Sequence, residues 1–466
     1  MKRFFITSIL MISMVANAMA QNANFNGSWK GTLDAGPYSL TIVFNIQQTD
    51  DSVAITWDSP DQGAFGLPAT ATINGNELNV DMPESYASYK GTLVGDTLDG
   101  TFSQMGGNLP LRMTQSTGID RPQEAAIEAD QNKPYRSEEV TFNNGDVTLA
   151  GTLTVPNNGS RFPTVVLVHG TGLLDRDETM FGHKPFLLLA DALSRNGFAV
   201  LRYDKRGAGE SYTDGPLNLA TTLMAEDAMA AVRYLKTRPE VNASQIGIMG
   251  HSEGGMIAIM NAASHPDEIA YIVSMAGVGV TGLELAKKQT RMISYTIGVE
   301  QDEEAMNLND QLLDIIAFEA DSVTMRQRLL EVIETNSAQQ AAIQKLQEID
   351  STITAEQINE QAINRLMSPD TRGLVKYDPT DHLKLIKCPM LAINGTLDCQ
   401  VACDENLGAI AHYVPHATVR KYEGLNHLFQ TCDDWVGSSN YASIHETMNP
   451  QVINDIIEWL QSVVKE

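Results

Sequence analysis

"IGIMGHSEGGMIA", residues 246–258, decides how the rest of the chain is read. Ile246, Ile248 and Met249 suit a buried strand, and Met256-Ile257-Ala258 open a helix-like run. Gly250-His251-Ser252-Glu253-Gly254 must therefore turn a strand into a helix with almost no connecting chain. A turn that tight strains its central residue and leaves its flanks little room, which is why glycines surround the serine. G-x-S-x-G in this setting lifts the serine hydroxyl clear of the sheet. The pentapeptide alone recurs by chance in Gly/Ser-rich chains; the strand–turn–helix context gives it weight.

Working outward, residues from about 137 onward alternate short apolar runs with helix-like segments. "VTLAGTLTVP", "TVVLVHG", "FAVLRYDKRG", "AYIVSMAG", "PMLAING" and "TVRKYEG" read as strands, several of them continuously apolar and therefore buried on both faces. "KPFLLLADALSRNG", "TTLMAEDAMAAVRYLKTR" and "DENLGAIAHYV" read as helices between them, and "NPQVINDIIEWLQSVVKE" closes the domain with Asn449 placed to cap and Pro450 in the first turn. This is the grammar of an α/β fold with a mostly parallel sheet over residues 137–466. One interruption, about 282–376, has no proline between Pro266 and Pro369 and carries Leu, Ile and Met at helical spacing, as a helical cap insertion would.

The N-terminal part obeys other rules. Residues 21–118 are rich in Gly, Thr and Asn, with alternating runs such as "YSLTIVFNIQQ" and "YKGTLVGDTLDGTFSQ" separated by hairpin turns at Asn74-Gly75-Asn76 and Val94-Gly95-Asp96. A small all-β domain, sandwich or barrel-like, is expected, its aromatic residues serving as core. A polar, proline-punctuated linker is expected at 119–136. Residues 1–20 combine Lys2-Arg3, an apolar run from Phe4 to Val15 and Ala18-Met19-Ala20, the pattern of a cleaved secretory signal; the run is too short to span a bilayer. The expected mature chain is exported, to a periplasmic or extracellular place.

The formal net charge of -26 over 466 residues argues against nucleic acid or an anionic membrane surface as partner. Acidity names no substrate. Cys388, Cys399, Cys403 and Cys432 all fall in the last fifth of the chain, without zinc-type His/Cys spacing, and four cysteines permit three full pairings that sequence alone does not separate.

A serine hydroxyl needs a base to be nucleophilic near neutral pH. His427, in "YEGLNHLFQ", follows a strand by a few residues, and Asp398, just past "MLAINGTLD", stands where an orienting acid belongs. His251 and His169 lie beside the motifs and read as elbow and turn packing, while no strand end immediately precedes His412, His416 or His445. The oxyanion of an acyl-transfer reaction needs two fixed N–H donors. Glu253 offers one at the helix start, and Thr171 in "VHGTG" the other, flanked by Gly170 and Gly172.

The order Ser252, Asp398, His427, with "HGTGLLDRDE" (169–178), "YDKRGAGES" (203–211), "GHSEGG" (250–255), "NGTLDCQV" (394–401) and "GLNHLFQ" (424–430), resembles the α/β-hydrolase superfamily. Within it, the chain is similar to secreted bacterial esterases of the prolyl-oligopeptidase-like and dienelactone-hydrolase-like branch. The resemblance covers roughly 140–466. It implies ester hydrolysis through an acyl-serine, a small-molecule ester as partner, and no cofactor or metal. Its peptidases usually carry a large β-propeller ahead of the hydrolase domain, where this chain has only about a hundred β residues, so an esterase is favoured over a serine peptidase or amidase. A binding protein on the same scaffold is the third reading, and a homodimer through the β-domain or cap stays open.

Arg176 and Asp177, in "LLDRDE", are expected at the pocket rim, with Arg176 paired to a carboxylate of its own loop ahead of one on a substrate. Cys399 abuts the acid and Cys432 follows the base, so a Cys399–Cys432 disulfide is expected between those loops, ahead of Cys403–Cys432 and of four thiols.

Overall fold

The computed structural model describes residues 23–35, 38–49, 52–59, 64–104, 107–116, 121–296, 303–349, 354–435 and 441–465. The expected secretory signal at 1–20 lies outside the described residues. The chain falls into two units, one holding the first eight strands and the other everything from the first helix onward.

In the first unit, β1 (Gly27–Ala35), β2 (Tyr38–Gln48), β3 (Val53–Ser59), β4 (Ala64–Asn74), β5 (Glu77–Met82), β6 (Ala87–Val94), β7 (Thr97–Gln104) and β8 (Gly107–Ser116) pair antiparallel in chain order. β1 also pairs with β8, which closes the barrel. Alternation puts Trp29, Phe44, Leu78, Tyr89, Leu98 and Leu111 inside, all 2% exposed or less. Tyr89 crosses the interior because Gly91 and Gly100 face it: a Cβ on Gly91 would stand 2.4 Å from its hydroxyl oxygen, and one on Gly100 2.5 Å from its ring. Phe25, Trp29, Phe44, Trp57, Tyr89 and Phe102 are therefore core, whereas Tyr86 is 78% exposed.

The second unit begins with α1 (Pro122–Ala129), where a linker was expected. The polar look of that stretch misleads, because its side chains serve buried backbone. Arg121 donates to the Phe181 and Ala442 carbonyls, and Glu124 accepts from the Lys184 N–H.

A nine-stranded sheet follows: β9 (Tyr135–Asn144), β10 (Val147–Pro156), β11 (Phe162–Val168), β12 (Ala199–Tyr203), β13 (Tyr212–Thr213), β14 (Val241–His251), β15 (Ile272–Met275), β16 (Met390–Gly395) and β17 (Thr418–Tyr422). Its order is β13-β10-β12-β11-β14-β15-β16-β17, with β9 on β10, and it is parallel from β12 to β17. Helices α2 (Pro185–Arg195) and α13 (Pro450–Val463) cover one face, packing Phe186, Leu189, Val452 and Leu460 on the strands. Helices α3 (Thr221–Lys236), α4 (Glu253–Ser264), α11 (Thr380–Leu385) and α12 (Cys403–Tyr413) cover the other. The chain passes from β11 outward to β12 and then returns to place β14 on the other side of β11. Ligands of open α/β sheets bind at such a reversal, beyond the carboxyl ends of the strands.

Between β15 and β16 lies the helical cap: α5 (Gly282–Thr296), α6 (Glu303–Phe318), α7 (Ser322–Thr335), α8 (Ser337–Ile349), α9 (Ala355–Leu366) and α10 (Pro369–Val375). It has its own small core of Leu313, Ile316, Met325, Leu329, Ile333 and Ile363. Thr354 and Gln357 form a reciprocal capping box at the start of α9. Leu285 of α5 packs with Met256, Val278 and Val401, which seats the cap above the carboxyl end of the sheet.

Candidate active site

Four strand ends, those of β11, β14, β16 and β17, deliver the site. β14 ends at His251, and Ser252 then takes φ 55°, ψ −116° before α4 begins. That conformation is strained for a residue with a side chain, and the surroundings hold it in place. The Ser252 N–H donates to the Met275 carbonyl at 2.8 Å, and its carbonyl accepts from Gly255 N–H. The flanking glycines are sterically forced. A Cβ on Gly250 would lie 1.9 Å from the Gly254 oxygen, and one on Gly254 would lie 2.0 Å from the Val168 oxygen.

Beyond β16, Asp398 accepts the Gln400 and Val401 N–H groups on Oδ1, at 2.7 and 2.9 Å, which leaves Oδ2 for the Nδ1 of His427 at 2.8 Å. Asp398 and His427 are buried, 1% and 3% exposed. With Nδ1 on the acid, the imidazole's Nε2 is the atom left for other work. The loop carrying His427 after β17 is closed by Asn426, whose Oδ1 accepts from the Leu428 and Gln430 N–H groups, both at 3.0 Å.

Ser252, His427, Gly170, Thr171 and Glu253 line one cavity of about 410 Å3. Its remaining wall is largely apolar: Met180, Phe181, Val278, Val401 and Leu428, with Leu285 and Leu374 from the cap. Gln289 and Gln400 add two amides. The glycine turn after β11 presses on the serine, since a Cβ on Gly170 would stand 3.3 Å from that of Ser252. Glu253 N–H opens α4 and so has no acceptor within its own helix.

Two supporting residues, Glu178 and Lys205, were given no role by the sequence, and His251, read there as elbow packing, joins them. Glu178, fully buried, accepts the Gly170 N–H at 2.6 Å and the Nδ1 of His251 at 3.2 Å. His251 in turn places its Nε2 3.0 Å from the His427 carbonyl. Burial disfavours the His251 cation, but the Glu178 carboxylate and the His427 carbonyl more than offset this and hold its pKa above the ordinary histidine value. Lys205, 5% exposed, donates to the Gly170 carbonyl at 2.7 Å and to Glu253 Oε2 at 3.3 Å. The only sequence signal for these was their place inside the quoted motifs.

Two expectations need correction. Arg176 does not pair within its own loop: it forks onto Asp204, with further bonds to Glu210 and Glu139, while Asp177 is bound by Arg202. Neither is among the side chains that line the cavity; both tie the 169–178 loop to the neighbouring strands. The Cys399–Cys432 disulfide is not formed. Cys399 Sγ lies 3.6 Å from the Tyr441 hydroxyl, Cys432 is also a thiol, and burial raises the pKa of both, Cys432 to about 11. Backbone bonds join the acid and base loops instead, Leu397 N–H donating to the Leu425 carbonyl at 2.9 Å. Gly395 lets the loops close, because a Cβ there would lie 2.1 Å from that carbonyl.

Residues 163–431 match the family described as alpha/beta hydrolase fold. The chain is 38% identical over 135 residues to esterase EstD of Thermotoga maritima, a match covering 28% of this chain and 32% of that protein. It is 30% identical over 151 residues to acyl-coenzyme A thioesterase 1 of Mus musculus, covering 32% of each. This chain thus spans about a third of the length of these curated relatives. Among solved structures, the alpha/beta hydrolase GrgF from a Penicillium species superposes with a TM-score of 0.44 at 18% identity, covering 71% of this chain and all of that one.

Proposed function

The chain belongs to the alpha/beta hydrolase family, and on that premise we propose that it hydrolyses carboxylic esters through an acyl-serine intermediate, with Ser252 as nucleophile, His427 as base and Asp398 as the acid that orients it. One observation carries this reading: the strained serine at the β14–α4 turn opens onto the same cavity as an imidazole whose Nδ1 is committed to a buried carboxylate at 2.8 Å.

In the proposed reaction, His427 Nε2 takes the Ser252 proton as Oγ attacks the acyl carbon. The charged oxygen of the tetrahedral intermediate is held by the Thr171 and Glu253 N–H groups, the latter helped by the partial positive charge at the start of α4. Collapse expels the alcohol, which takes its proton from His427. Water then gives a proton to His427 and attacks the acyl-serine, and the second collapse returns that proton to Ser252 and frees the acid. Asp398 stays ionised throughout and stabilises the imidazolium. The apolar wall suits an acyl chain of modest length, and Leu285 and Leu374 make the cap part of the pocket.

The test is turnover of p-nitrophenyl acyl esters of graded length, with acyl thioesters and aminoacyl amides alongside, by the parent chain and by Ser252→Ala. Ester turnover lost in the variant is expected. Preferred thioester turnover would move the substrate class toward that of the mouse relative, and amide turnover without ester turnover would replace the esterase reading with a peptidase one.

A further inference from the structure

We propose that Lys205 is a positioning residue for the oxyanion hole: its ammonium, clamped on the Gly170 carbonyl, fixes the plane of the Gly170–Thr171 peptide and so aims the Thr171 N–H at the oxygen that becomes charged. The proposal rests on the acyl-transfer reading given above.

The argument starts from the planarity of a trans peptide, in which the carbonyl of one residue and the N–H of the next point in opposite directions. Lys205 Nζ holds the Gly170 oxygen at 2.7 Å. Glu178 Oε1 holds the Gly170 N–H at 2.6 Å. The glycine is therefore gripped on both its peptide planes, at a position where no side chain of its own resists rotation. With the Gly170 carbonyl turned toward Lys205, the Thr171 N–H is turned away from it, on a residue that lines the cavity beside Ser252. A cation on a carbonyl also polarises the peptide and strengthens its N–H as a donor.

The same ammonium reaches the second donor's residue. Glu253 Oε2 lies 3.3 Å from Nζ, and Glu253 Oε1 accepts the Thr221 hydroxyl at 2.7 Å. A carboxylate one residue beyond the nucleophile would oppose a developing oxyanion; Lys205 offsets that charge. Its backbone is fixed in turn, the Lys205 N–H donating to the Leu174 carbonyl at 3.1 Å, within the loop it orients. Lys205 is buried and Glu253 mostly so, their side chains 6% and 12% exposed, so solvent screens their interaction only in part.

The experiment compares the parent chain with K205M and the double variant K205M/E253Q, reading kcat and KM on p-nitrophenyl butyrate and the affinity of an alkyl trifluoromethyl ketone, whose serine adduct carries the same oxyanion. K205M is expected to lower kcat by about 10- to 100-fold, on the scale of weakening one oxyanion donor, with KM within about twofold. Its ketone affinity should fall by a similar factor. The double variant should stay slow, because neutralising Glu253 does not restore the grip on Gly170. Three results would overturn the proposal: parent-like kcat in K205M, unchanged ketone affinity, or recovery in the double variant, which would reduce Lys205 to the counter-ion of Glu253. K205Q carries the same expectations if K205M does not fold. Failure of the esterase reading itself would show in the parent chain, as absent ester turnover, and not in the comparison between variants.

Discussion

The Nε2 of His251 lies 3.0 Å from the main-chain carbonyl of His427, so the residue before the serine holds the loop that carries the imidazole, 176 positions later in the chain. The other nitrogen of that ring is on Glu178, which also holds the Gly170 N–H. Two buried side chains, His251 and Glu178, thus link the serine turn, the base loop and the glycine turn after β11.

Replacing His251 with alanine should therefore harm rate and stability together. Glu178 loses one partner inside the protein, and the His427 carbonyl loses its donor. A loss of about 2–4 kcal/mol in urea unfolding is expected, within the range for breaking a buried charged network, along with a kcat lowered by roughly tenfold or more. An unchanged kcat in a folded His251→Ala chain would show that the base loop keeps its place without the brace.

Stability should fall on the acid side of neutrality. Burial holds the pKa of both His169 and His183 down at about 4, against about 6.5 for an ordinary histidine. Between those values the unfolded chain binds more protons, so this contribution is fully present above about pH 6.5 and is lost as pH falls toward 4. Each group accounts for up to about 3 kcal/mol. His251, shifted upward, works in the opposite sense: its contribution is present below the ordinary histidine pKa and is lost as pH rises through its raised one. From the two depressed groups a stability that falls toward pH 4.5 is expected, and urea unfolding between pH 7.5 and 4.5 reads it. His183→Gln should flatten the slope; an unchanged slope would remove His183 from the account.

Trimming Leu374 to alanine should lengthen the preferred acyl chain by about two methylenes, since that side chain is the contribution of α10 to the cavity wall. Each added methylene that finds apolar contact is worth about 1–3 kcal/mol in discrimination. The ratio of kcat/KM for octanoyl over butanoyl esters reads the effect. A ratio unchanged from the parent would place the acyl chain elsewhere.

Cys432→Ser tests what joins the acid and base loops. With backbone bonds between them and the two cysteines as thiols, stability should change by under about 1 kcal/mol and kcat by less than about twofold. A loss of about 2–5 kcal/mol under non-reducing conditions would point to a bridge instead.

What was legible in the sequence was whatever a short stretch encodes. The turn at 250–254 announces itself because crowding there demands glycine, and Asp398 and His427 each follow a strand by a few residues. The eight-stranded unit was readable as β from its alternation, though its closure through the Gly31–Met113 pairing was not. Roles that arise between distant loops left no such mark. Lys205 and Glu178 lie in motifs that look like charged loop ends, and only the fold brings them to the two sides of Gly170. Arg176 misled for the same reason, because its main partner, Asp204, comes from the end of the adjacent strand. The helix α1 was hidden by polar residues whose partners lie about 60 and 320 positions away.

The central claim is that Ser252 is the atom donor for covalent catalysis, and mapping a covalent adduct tests it most directly. The purified chain, treated with an alkyl fluorophosphonate and analysed by intact mass and peptide sequencing, should take up one equivalent on the peptide containing Ser252. Labelling should be abolished in Ser252→Ala and slowed by orders of magnitude in His427→Ala. A folded parent chain that stays unlabelled, or carries the phosphonyl group on another residue, would contradict the account.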